Sequence, residues 1–186
     1  ELHYPIQSRD ISYGLITPAD SPAAERYAYF AMPTPGDANG IDGVNDGPTI
    51  SNVTTNPPPP RPDEDLTIEA TVDSQDGRSL SEVQLFYRVN YRPEIAVGMN
   101  VSDHTYTAVI PATAFAAGDM VRWFVEASDD DAASSRMPAH FTPTSEAYFG
   151  TAVDDGVSTE GARRFLWWVE DDQWYLTNGR EPVHKE

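Results

Sequence analysis

The 186-residue chain carries thirty acidic residues against twelve basic ones, a net charge of −18, and it has no cysteine. Disulfides, thiolate metal sites and cysteine nucleophiles are thereby excluded, and a field of that sign repels nucleic acid and anionic membranes, which are bound through clustered Lys and Arg. Apolar residues make up 39% of the chain, enough for a core, yet no run approaches the ~20 apolar residues of a membrane span.

At the N-terminus no signal-peptide pattern is visible, and the chain opens at Glu1-Leu-His-Tyr-Pro5, so it reads as a mature segment or a piece of something longer. Residues 1–36 hold two short strand-like pieces, Ile11–Gly14 and Arg26–Met32, around a loop rich in Pro and Asp over residues 17–24. They are too short to bury a core, and are expected to close a domain that begins elsewhere or to lie against the domain formed by residues 48–150. Residues 37–47 form an acidic Gly/Asn/Asp linker. Asp37, Asn39, Asp42, Asn45 and Asp46 there cluster hard oxygen donors, of which Ca²⁺ takes about six to eight. Their spacing is not that of an EF-hand, and the same residue types are ordinary in linkers, so a calcium loop and a solvated linker both stand.

Residues 48–150 carry the strongest signal. Leu66, Ile68, Ala70 and Val72 alternate with Thr67, Glu69 and Thr71; Val83, Leu85, Tyr87 and Val89 repeat the pattern, as do Tyr106, Ala108 and Ile110, then Val121, Trp123, Val125 and Ala127. A period of two places each set on one face of a strand. Strands are expected at Thr49–Thr55, 65–73, 80–91, 94–101, 104–111 and 119–128, with a seventh within 137–149. Pro57 to Pro60 cannot donate to a ladder and belongs at an edge or in a loop. Short strands at turn-marked intervals predict an all-β, Ig-like antiparallel sandwich, with Leu66, Ile68, Val72, Val83, Leu85, Tyr87, Ile110, Trp123 and Val125 inward. Asp129, Asp130 and Asp131, after the sixth strand, are either a second calcium candidate or a charged edge loop. Asn52-Val-Thr54 and Asn100-Val-Ser102 are N-glycan acceptor patterns, meaningful only in a eukaryotic secretory pathway.

The tail, residues 151–186, holds three of the four tryptophans. Arg164–Val169 and Gln173–Thr177 flank Glu170-Asp-Asp172 and read as a β-hairpin. A lone hairpin cannot bury both faces, so the tail should pack on the sandwich edge, on another domain or on a second subunit, the last being favoured. Trp167, Trp168, Trp174 and Tyr175 are candidates for a carbohydrate-stacking platform or an interface. No nucleophile elbow or phosphate loop is present, and His3, His104, His140 and His184 lack metal-ligand spacing. The chain is expected not to be an enzyme.

Gly47-Pro-Thr-Ile-Ser-Asn-Val-Thr54, Leu85-Phe-Tyr-Arg-Val89, Tyr106-Thr-Ala-Val-Ile-Pro111 and Val121-Arg-Trp-Phe-Val-Glu-Ala-Ser-Asp129 resemble the Ig-like, fibronectin-III-like module of large secreted bacterial proteins. Gln7-Ser-Arg-Asp-Ile-Ser-Tyr-Gly14 and Tyr29-Phe-Ala-Met-Pro-Thr-Pro-Gly36 resemble the end of a lamin-tail-like domain. Tyr148-Phe-Gly-Thr151 and Phe165-Leu-Trp-Trp-Val169 resemble the start of a CotH-kinase-like region, but the chain ends before a kinase core, so no catalytic residue carries over. The resemblance implies secretion and a multidomain parent. The expected role is a noncatalytic extracellular or cell-surface module that spaces or assembles other domains or subunits. The alternatives are a carbohydrate-binding accessory domain with a polysaccharide partner and, more remotely, a fragment of a CotH-like kinase.

Overall fold

The computed structural model describes residues 12–16, 26–30, 34–37, 45–74, 78–139, 147–157 and 168. Two strands, β1 (Ser12–Ile16) and β2 (Arg26–Phe30), pair antiparallel with Ser12 opposite Phe30. Burial raises the Tyr29 phenol above its ordinary pKa, and the Asp46 and Tyr13 charges add to it.

The sandwich strands are β3 (Thr49–Asn56), β4 (Leu66–Asp73), β5 (Leu80–Val89), β6 (Ile95–Gly98), β7 (Asn100–Ser102), β8 (Thr105–Ile110), β9 (Met120–Asp129), β10 (Ser134–Met137) and β11 (Phe149–Ala152). A four-stranded sheet has the order β3-β4-β8-β7, and a five-stranded sheet the order β10-β9-β5-β6 with β11 also on β9. Every pairing is antiparallel. The first sheet thus joins the first, second, sixth and fifth sandwich strands, and the second sheet takes the strands between and after them.

The period-two pattern decides which faces meet. Leu66, Ile68, Val72, Val83, Leu85, Tyr87, Ile110, Trp123 and Val125 all lie in one core, none more than 7% exposed. Burying each large apolar side chain contributes about 1.5–3 kcal/mol relative to exposure. The expected faces are the observed ones. Asn52, at φ 49°, sits where the β3–β4 register shifts between Ser51 and Thr54, in the left-handed region that asparagine tolerates.

Two expected strands differ. The single strand over 94–101 is two, because the chain changes sheets at Met99. β6 pairs with β5, β7 pairs with β8, and the Met99 N–H donates to the Val83 carbonyl between them. The expected strand within 137–149 is replaced by β10 and β11, which pair with the two halves of β9. Pro138 follows Met137 and has no N–H for the ladder, so β10 stops there. No helix among the described residues is long and apolar enough to cross a membrane.

Candidate ligand pocket on the outer face of the five-stranded sheet

The outward positions of β5 and β9 are not uniformly polar. Register sets Phe86 beside Phe124, Arg88 beside Arg122, and Gln84 beside Glu126. Phe86 and Phe124 stack with centroids 4.8 Å apart and planes 6° from parallel, and Tyr148 meets Phe124 edge-on at 5.7 Å. The guanidinium of Arg136 lies 3.7 Å from the Phe124 centroid. Those of Arg88, Arg122 and Arg136 lie 5.7, 5.3 and 5.5 Å from the Tyr148 centroid. Like charges directly opposite on neighbouring strands repel; here the negative face of one tyrosine ring offsets three cations. The Tyr148 hydroxyl donates to Glu94.

Asn90, just past β5 at φ 52°, ties this face together. Its N–H donates to the Met120 carbonyl at 2.7 Å, its amide oxygen accepts from the Met120 N–H at 2.9 Å, and its amide nitrogen donates to Asp119 at 2.8 Å. Its carbonyl accepts from Nη2 of Arg122 at 2.7 Å, and Arg122 also lies 5.3 Å from the Tyr91 ring centroid. Two tyrosines and one carbonyl therefore hold this half-buried guanidinium.

Beside it opens a pocket of about 260 Å³, lined by Met120 and Arg122 of β9, by Tyr148, by the four residues of β11 and by Trp168. Gly150 faces Arg122 across the β9–β11 ladder, and a Cβ there would lie 3.5 Å from the Arg122 Cγ. The lack of a side chain at Gly150 keeps the arginine uncovered on that side. The Trp168 indole N–H donates to the Gly118 carbonyl at 3.2 Å, and its carbonyl accepts from the Tyr91 hydroxyl at 2.6 Å. One of the four proposed aromatic residues thus lies against its own sandwich, one of the placements expected of the tail. Trp167, Trp174 and Tyr175 lie outside the described residues.

The calcium candidates divide. Asp37 is exposed in a turn, and Asn39 and Asp42 lie outside the described residues. Asn45 donates from its amide nitrogen to the Asp129 carboxylate at 2.6 Å and accepts from the Gly47 N–H at 3.0 Å. Asp129 is only 3% exposed, and its other oxygen accepts from the N–H groups of Asp131 and Ala133, both at 3.0 Å. Burial pushes its pKa up, but the Asn45 amide, the Ala133 and Asp131 N–H groups and the Arg78 charge together bring it below the ordinary 3.8. Asp131 pairs with Arg78 at 2.9 Å, and Asp130 is exposed. Asp129 thus staples the linker to the sheet, and the three consecutive aspartates do not converge. Among the described residues no group of three or more His, Asp or Glu gathers at one point. His104 pairs with Asp73 at the surface at 2.8 Å. Asn52 and Asn100 are both exposed, Asn52 with its amide 3.4 Å from the Thr71 hydroxyl.

Sequence reading singled out Trp168 but neither Arg122, Asn90, Tyr91 nor Tyr148 as site residues. One signal was present: in Val121-Arg-Trp-Phe-Val125 an apolar Phe occupies an outward position, which marks a second covered face.

No family model matches the chain, and no curated protein matches it. Among solved structures, a carbohydrate-binding module, the Br derivative of BhCBM56, superposes with a TM-score of 0.37 at 10% identity, over 59% of this chain and 95% of that one. At that level the likeness assigns neither site nor activity.

Proposed function

We propose that the chain is a noncatalytic carbohydrate-binding module of an extracellular protein, taking one sugar unit in the pocket between Trp168 and Tyr148. The observation that supports this is the pocket itself, an open concavity lined by the aromatic residues Tyr148, Phe149 and Trp168 and by the Arg122 fork. Sugar rings present apolar C–H faces to aromatic planes and hydroxyls to a fork of N–H donors. A volume of about 260 Å³ lies just under the ~300 Å³ lower bound of ordinary ligand sites, which suits a single ring. Affinity electrophoresis against soluble polysaccharides tests it. Wild type is expected to be retarded saturably on at least one polymer, and Trp168→Ala and Tyr148→Ala to migrate freely while melting near the wild-type temperature. Absence of retardation on every polymer sinks the reading.

A second reading draws on the two hydrogen bonds of Trp168. They fix the entry to the tail onto the sandwich, as a rigid spacer between domains of a surface assembly requires. On that reading Trp168→Ala loosens the tail, seen as faster proteolysis after residue 157, and changes no binding.

A further inference from the structure

Among the described residues, Arg122 keeps much of its hydrogen-bonding capacity unused. Of its five N–H donors, the hydrogen bond to the Asn90 carbonyl occupies one, and its Nε is buried without a hydrogen-bond partner. No described carboxylate pairs with it, although the chain has thirty. Each nearby acid has another neighbour. Glu94 accepts from Tyr148, Asp119 accepts from Asn90 and from the Ala116 N–H, and Glu126 lies between Gln84 and Arg136 in the ladder. A half-buried cation without an anion is costly unless something supplies the missing charge.

The surroundings are built for an incoming anion. Arg88, Arg122 and Arg136, three of only twelve basic residues, gather around the Tyr148 ring. Arg122 alone of the three lines the pocket, and Gly150 leaves it uncovered. A guanidinium matches a planar carboxylate or a sulfate with paired N–H donors, which a lysine cannot do. A net charge of −18 works against loose capture of polyanions at large, so binding of one requires a specific local cation.

We infer that the sugar taken by this pocket is acidic, its carboxylate or sulfate held by Arg122 while its ring packs between Tyr148 and Trp168. The inference rests on the sugar-binding reading and narrows its ligand class.

The experiment compares polymers that share a backbone and differ in charge: polygalacturonate against its methyl ester, and dextran sulfate against dextran, with laminarin and xylan as further neutral probes. Calorimetric titration is expected to show saturable binding to polygalacturonate or to dextran sulfate and none to their neutral partners; which polymer binds tells carboxylate from sulfate. Arg122→Lys keeps the charge and loses the fork, and should weaken that binding by about tenfold or more. Arg61→Gln, at an exposed arginine in the β3–β4 connection, should leave it unchanged. Gly150→Val should abolish it by covering Arg122, which preserves the test should Arg122 variants fold poorly. Equal binding of neutral and acidic partners, unchanged in Arg122→Lys, overturns the acidic ligand and leaves the sugar-binding reading standing. No binding to any of the six polymers overturns both.

Discussion

Asp129 shows how much of a residue's surroundings lies beyond its own stretch of sequence. In sequence it is the first of three aspartates after a strand. In the fold it is the last residue of β9, buried, with the Asn45 amide on one oxygen and the Asp131 and Ala133 N–H groups on the other. Its main partner lies 84 residues away, a distance at which local pattern carries no information. Its folded pKa is depressed, so its contribution to stability is full above the ordinary carboxylate range and is lost as pH falls through the lowered value. Asp129→Asn keeps one oxygen for the two N–H groups but turns an amide toward the Asn45 amide. Thermal melts from pH 7 to about pH 2 should show the variant less stable at neutral pH, with the gap to wild type closing on acidification. A gap that stays constant over that range would falsify the role given to the carboxylate.

At the level of strands, alternation carried most of the information and turns carried little. β4, β5, β8 and β9 were legible because their apolar positions keep strict period two against a dry core. β6 and β7 were not separable, since a change of sheet alters pairing partners without altering composition. The split of the last strand was signalled only by Pro138. Gly47 is a further feature with no local signature. Its φ is 79°, and a Cβ there would stand 2.8 Å from the Ser134 carbonyl carbon, because the entry to β3 presses on the backbone of β10. The Ser135 hydroxyl donates to the Pro48 carbonyl at the same place. Gly47→Ala should cost about 1–3 kcal/mol from backbone conformation alone, with the clash added. Gly98→Ala, where a Cβ meets nothing within 4 Å, should be nearly neutral. Urea unfolding of the two variants decides it: equal midpoints would mean that the close approach of β3 and β10 is not a constraint.

For the molecule as a whole, composition and structure agree on an all-β sandwich. Sequence reading pointed to the acidic loops and the tail tryptophans as candidates. The pocket is lined by Arg122, Tyr148 and Gly150 together with Trp168, residues from three separate stretches, the first two of which meet through β9 pairing with β11. No spacing rule could reveal that. The charge of −18 has its own global consequence, since self-repulsion destabilises a compact state. Screening shortens its reach from about 30 Å at 0.01 M salt to about 3 Å at 1 M. The melting temperature should therefore rise on going from about 0.01 to about 1 M sodium chloride. A fall would mean that local ion pairs such as Arg78–Asp131 outweigh the net charge.

The divided partner of β9 gives the module room to diversify. β10 is held by Val125–Ser128 and β11 by Met120–Trp123, so each is anchored without the other. A change of length between these two anchors therefore need not propagate into the sandwich; for any flexible connection each doubling of length costs only about 0.6 kcal/mol in closure entropy. Tyr148, which forms one wall of the pocket, stands at the end of that stretch. If the pocket takes the ligand proposed for it, one of its walls can be exchanged while the scaffold beneath stays the same.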